Sequence, residues 1–186
     1  RMASEVQTVG GHSHVVANLA EARTVLAGLL EGWAPKSALC WQHSVLDQMG
    51  MAELLAERQV NLLRHNNLSP LSASDQRVAM FAADIGISSA TRAVAETGTL
   101  VMASGAGSER LASLLPPIHV AIITADQIVP DLFDLFDEWT APGAAPLASN
   151  TVFITGPSKT GDLELRLTTG VHGPGTWHVI IARSAN

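Results

Sequence analysis

Residues 151–182 read TVFITGPSKTGDLELRLTTGVHGPGTWHVIIA, an apolar run at each end of a segment dense in Gly, Ser, Thr, Asp and His. The middle is too polar to be core. Residues 151–155 have the pattern of a short buried strand, and residues 176–182 that of a second. Gly156-Pro157-Ser158 breaks the first strand and can set Ser158 or Thr160 as the N-cap of a helical turn. Asp162 and Glu164 would then stand near its positive end, where carboxylates are favoured. A second break over residues 170–175, with His172, Gly173 and Pro174 inside it, leads into the last strand. Two polar loops are thus presented by two strands.

The chain upstream of this stretch alternates short apolar strands with helices. Residues 6–9 and Val15-Val16 read as strands around Gly10-Gly11, with His12 and His14 two apart between them. Such a spacing puts both imidazoles on one face of an extended segment, as in a metal pair, but no third ligand stands near in sequence. We read them as solvated histidines of a terminal hairpin. Asn18 caps a helix over residues 19–33 that Pro35 ends. A strand at 37–41, a helix at 45–57 weakened at Gly50, a strand at 60–64, a loop at 65–74 and a helix at 75–82 follow. Residues 83–100 supply a strand, a helix at 91–95 and a left-handed turn at Glu96-Thr97-Gly98. A strand at 100–103, a glycine loop, a helix at 109–115, a strand at 120–124, an acidic amphipathic helix at 131–139 and a Pro/Ala/Gly linker at 141–149 complete the pattern. This βαβ alternation predicts an α/β fold, one mainly parallel sheet with helices on both faces in three layers.

A chain of 186 residues that is 47% hydrophobic can bury roughly 70% of its unfolded surface around one core, so a single domain over residues 1–186 is expected. The formal charge of −6, from 11 Lys plus Arg against 17 Asp plus Glu, argues against a nucleic-acid partner and offers no basic patch to a membrane. No apolar run approaches the roughly 18 residues of a membrane span and no secretory signal opens the chain, which places it in the cytoplasm. Cys40 is the one cysteine. An intramolecular disulfide and a multi-thiolate cluster therefore cannot be built from this chain, and Cys40 reads as a small buried hydrophobe in a strand.

GPSKTGDLE (156–164) followed by GVHGP (170–174) and a closing apolar strand resembles the LUD domain family, in particular its lactate utilization protein C branch. ADIGIS (83–88) followed by AETGTL (95–100) is similar to the other signature of that family. The resemblance runs from about Val6 to the C-terminus. It departs from the family pattern at Gly161, where alanine is expected. The resemblance also implies an N-terminal helical arm, which the chain, opening at Arg1, is expected to be without. It implies a fold related to that of sugar-phosphate isomerases and CoA transferases. It further implies a subunit, itself without a redox centre or bound metal, of a system that oxidises L-lactate to pyruvate with iron–sulfur partner proteins.

Three functions stay open on the residues themselves. The first is a complex subunit with a cleft for a partner or a small anion. There Ser158, Lys159, Thr160 and Gly173 would surround the ligand, with His172 as a group titrating near neutral pH. The second is a stand-alone enzyme on a sugar phosphate or an acyl or CoA substrate, with Glu96 as the catalytic acid. Its carboxylate would sit at a strand terminus beside the amides and hydroxyls of Thr97, Gly98 and Thr99. The third is a nucleotide module, with Gly105, Gly107 and Ser108 cradling phosphate between a strand and a helix. In that motif Arg110 stands where the fingerprint has its third glycine. There is no G-x-S-x-G elbow, which speaks against a serine hydrolase.

Overall fold

The computed structural model describes residues 1–107, 110–161 and 167–185, and the side chains of His65 and Leu167 lie outside what it describes. The chain opens with α1 (Met2–Thr8), β1 (His12–Val16) and α2 (Leu19–Trp33). Next come β2 (Ser37–Cys40), α3 (Ser44–Gln48), α4 (Met51–Glu57), β3 (Asn61–Leu63), α5 (His65–Leu68), α6 (Ala73–Phe81) and β4 (Ile85–Ser88). The second half holds β5 (Arg92–Val94), β6 (Thr99–Ala103), a 3-10 turn (Arg110–Ser113), β7 (Ile118–Thr124), β8 (Ile128–Val129) and α7 (Leu132–Thr140). It ends with β9 (Thr151–Ile154), β10 (Lys159–Gly161), β11 (Leu167–Thr169) and β12 (Thr176–Ala182).

Six strands form an all-parallel sheet in the order β1-β12-β7-β4-β2-β3. Its central strands β4, β7 and β12 are apolar runs buried on both faces, as a parallel sheet covered on each side requires. Asn18 caps α2 as expected, its side chain accepting from the Glu21 N–H at 3.0 Å. Ala34 ends that helix in the left-handed region at φ 48°. The expected break at Gly50 separates α3 from α4, and Asp131 caps α7 through the N–H groups of Phe133 and Asp134.

The second sheet is an element the sequence pattern did not suggest. It has four strands in the order β8-β5-β6-β9. One face puts Ala93, Leu100 and Met102 into the main core, and the other packs Val94, Val101 and Val129 on Leu135 of α7. Residues 91–95, expected as helix, are β5, antiparallel to β6; three residues alternating between two buried faces have no helical stripe to satisfy. The strand expected to be buried at 151–155 is β9, a half-exposed edge strand antiparallel to β6.

Four further expectations are corrected. Residues 6–9 belong largely to α1, where Met2 and Val6, four apart, bury one stripe. The segment after Gly156 is the hairpin β10-β11 and not a helical turn. Residues 159–161 are thus strand, and the rest of the expected turn, with Asp162 and Glu164, lies outside the described residues. Of the helix expected at 109–115, residues 110–113 form the 3-10 turn, with Pro116-Pro117 closing off any extension beyond it; Glu109 and Ser108 are outside the described residues. Lastly, β1 pairs parallel to β12, so His12 and His14 are not in a hairpin.

Candidate functional site

The geometry begins with a row of residues across the large sheet. Trp177 is in register with His119, His119 with Gly86, Gly86 with Leu39 and Leu39 with Leu63, so all five face the same side. Gly86 lacks a side chain because the 3-10 turn presses on it: a Cβ there would lie 1.7 Å from the Ala112 carbonyl oxygen. Gly11 does the same at the other end, where a Cβ would lie 2.4 Å from the Trp177 ring. Gly86 thus admits the backbone of the turn, and Gly11 the indole of Trp177.

His119 and Trp177, each 1% exposed, form the floor of a cavity of about 200 Å³. Leu114, Val152, Ile154, Gly156, Ser158 and Pro174 line it as well. The His119 Nε2 lies 2.8 Å from the Ser88 hydroxyl. Its Nδ1 and the indole Nε1 of Trp177 are buried and have no hydrogen-bond partner among the described residues. Burial holds the His119 pKa down at about 3, so the ring is neutral at physiological pH. Buried polar nitrogens without partners are unusual in a folded protein, and these two belong to residues in register on neighbouring strands.

The two signature segments do meet, over a different element. Thr99 of β6 hydrogen-bonds Thr155 beyond β9 at 2.8 Å and Thr97 at 2.7 Å. Glu96 turns to solvent and pairs with Arg1 at 2.9 Å, its side chain 48% exposed. Gly98, at φ 66°, packs on α1 so closely that a Cβ would lie 2.7 Å from the Val6 nitrogen. Gly156, at φ 103°, does the same at the other end of α1, with its Cβ position 2.8 Å from the Val9 carbonyl oxygen. Lys159 Nζ donates to that carbonyl at 2.7 Å, a cation at the C-terminal end of a helix. Glu96, Gly98, Gly156 and Lys159 thus hold the two ends of α1. Replacing Glu96 with Gln should change stability by less than about 1 kcal/mol, since an exposed ion pair contributes little; urea titration checks this, and a larger loss would mean that the carboxylate does more than meet Arg1.

Of the other residues singled out in the sequence, Ser158 is tied to the GVHGP loop. Its N–H donates to the Pro174 carbonyl at 2.8 Å and its carbonyl accepts from Gly170 at 2.9 Å. Gly173 sits against the Ser158 side chain. Thr160 is half-buried in β10, and His172 is exposed in the loop that precedes β12. The carboxyl ends of β2 and β4, where α/β sheets usually open a crevice, are covered by the chain's own loop. The Gln42 N–H donates to the Gly107 carbonyl at 2.7 Å, and Gly107 packs on the Gln42 side chain. Gly105 is exposed beyond it, with only the four-residue 3-10 turn following. Gln127 ties the next loop by bonding Ser89, Ala90 and Thr124.

His119, Trp177 and Ser88 were not singled out in the sequence. The available signal was a polar or amphipathic residue second in each of two otherwise apolar strands, IHVAIIT and TWHVIIA. It could not be recognised without knowing that the two strands are neighbours.

The LUD domain family model matches residues 1–182. Lactate utilization protein C of Halalkalibacterium halodurans is 35% identical over 148 residues, 78% of this chain and 62% of that protein. The protein of the same name from Shouchella clausii is 31% identical over 154 residues, 81% of this chain and 64% of its own. This chain therefore spans less than two thirds of the length of these relatives. A crystal structure of a DUF162 family protein from Deinococcus radiodurans has the same fold, with a TM-score of 0.63 over 97% of this chain and 93% of that one, at 20% identity. A parallel six-stranded sheet with both signature segments gathered around α1, matched by the family model over nearly its whole length, makes this chain a member of the LUD domain family.

Proposed function

We propose that the chain serves as a subunit of a cytoplasmic system oxidising L-lactate to pyruvate, beside iron–sulfur proteins that carry the electrons. The observation that carries this reading is the similarity, at 31–35% identity, to proteins called lactate utilization protein C. The oxidation releases two electrons, which need a redox group to receive them. Within this chain the one thiol, Cys40, is 3% exposed and donates to the Trp41 carbonyl; burial pushes its pKa up to about 11. A thiol so held is a poor metal ligand, which supports placing the clusters in partner proteins. No helix among the described residues is long and apolar enough to cross a membrane.

The test is genetic and biochemical. Deleting the gene in its host should abolish growth on L-lactate while leaving growth on pyruvate intact, and the affinity-tagged protein should retain a cysteine-rich iron–sulfur protein through purification. Undiminished growth of the deletion strain on L-lactate would sink the reading.

A further inference from the structure

We propose that a second cavity, of about 190 Å³ between β2, α6 and the 3-10 turn, is a binding site for a small apolar molecule or for the apolar end of a larger one. This goes beyond the lactate reading and does not rest on it. Leu39 and Cys40 of β2, Trp41 after them, Leu68 of α5 and Ala112 of the turn give the cavity a buried, apolar wall. Protein interiors are packed like organic crystals, with few voids larger than a water molecule, so a space of this size against such a wall needs a reason. Apolar cavities of about 150 Å³ stay dry and take up benzene or xenon. Water inside them finds too few hydrogen-bond partners, whereas an apolar guest supplies the dispersion contacts that the walls lack. A guest of benzene's size therefore fits here.

The way in lies beneath α6. Gln76 and Met80 of that helix and Leu111 of the turn are the partly exposed members of the lining, so they mark the mouth. None of the nine residues of α6 is buried, Val78 and Phe81 face solvent, and the helix meets the core through Ala79 and Met80. A helix seated on so little apolar contact is among the elements that open at low cost. One cation stands close by: Arg64 Nη2 lies 3.9 Å from Cys40 Sγ, and Asp47 pairs with it at 3.2 Å. That charge is already met by a carboxylate, so the apolar wall and not a counter-ion sets the choice of guest. The cavity adjoins Leu39 and Cys40, the last residues of β2, and carboxyl strand ends are where α/β sheets usually hold their ligands.

Nuclear magnetic resonance of protein labelled with ¹³C at the methionine methyl groups reads the cavity through Met80, whose signal is assigned by its loss in Met80→Leu. Benzene and xenon serve as apolar probes and butyrate as the charged one, since Arg64 is the group that would draw a carboxylate. Both apolar probes should shift the Met80 signal saturably and leave that of Met102, in the second sheet, unmoved. Benzene should also raise the thermal midpoint with concentration, as a ligand of the folded state does. Leu111→Trp, which puts a larger side chain at the mouth, should weaken benzene binding by on the order of tenfold. A Met80 signal unmoved by both apolar probes, equal shifts at Met80 and Met102, butyrate bound as tightly as benzene, or unchanged affinity in Leu111→Trp would each overturn the proposal. Should Leu111→Trp not fold, the titrations of the unmodified protein still decide.

Discussion

Gly86→Ala should destabilise the protein by at least about 3 kcal/mol, a large part of the 5 to 15 kcal/mol that a domain typically has. The added Cβ would fall 1.7 Å from the Ala112 carbonyl oxygen, and that oxygen belongs to backbone and not to the free end of a side chain. Relief therefore requires the 3-10 turn to lift off β4. The turn also borders the cavity over His119 and Trp177, because Ser113 and Leu114 line it, so its displacement should change that cavity together with stability. Gly28→Ala is the matched control. Gly28 is exposed in the middle of α2 with nothing within 4 Å of the Cβ position, and alanine there should add about 0.5 to 1 kcal/mol through helix propensity. Denaturant midpoints of the two variants should move in opposite directions. A Gly86→Ala protein as stable as the parent would mean that the turn does not lie on the sheet as described.

The same glycine shows how far the sequence could be read. The run ADIGIS announces a buried strand, and β4 is one. The alternation around it announces the parallel sheet, since strands buried on both faces have a composition unlike that of any surface element. What a strand's own residues do not state is which neighbour it will have. Asp84 accepts from the N–H groups of Lys36 and Ser37, Gly86 admits the 3-10 turn, and Ser88 meets His119. Each of these three roles depends on a partner 26 to 48 residues away along the chain, and none has a local pattern. The small sheet escaped for a related reason: β5 has three residues and β8 two, too few for a period to be read. Glu96, Gly98, Gly156 and Lys159 were visible as special residues because glycines in turns and charges beside them stand out. Their common target was not visible, because α1 is seven residues of ordinary composition. Special residues mark where a backbone must bend or approach closely, and that requirement can arise from a helix of the chain as readily as from a ligand.

Acid should destabilise this protein earlier than carboxylate titration alone would, and His119 should account for a measurable part of it. Burial lowers the His119 pKa to about 3, and burial first, then His12 and His14, lower that of His178 to about 4. His178 stacks with His12, bonds His14 at 3.0 Å and meets Trp33 edge-on. In the unfolded chain both imidazoles titrate near 6.5. Below that pH the unfolded state takes up protons that the folded state refuses, so stability is full above about pH 7 and falls as the pH drops. The loss continues to about pH 4 for His178 and about pH 3 for His119, where the folded forms protonate as well. For fully buried His119 the slope is about 1.4 kcal/mol per pH unit. His178, 7% exposed beside the edge strand β1, adds in the same direction. Urea midpoints between pH 6.5 and 5, above the range in which ordinary carboxylates titrate, isolate the histidine contribution. His119→Gln, which can still bond Ser88 but cannot titrate, should flatten the decline by about 1.6 kcal/mol in all between pH 6.5 and 5, whatever it costs at neutral pH. An acid slope identical to that of the parent would show that burial does not hold His119 neutral in the folded protein, and that water reaches the ring where the structure has it 1% exposed.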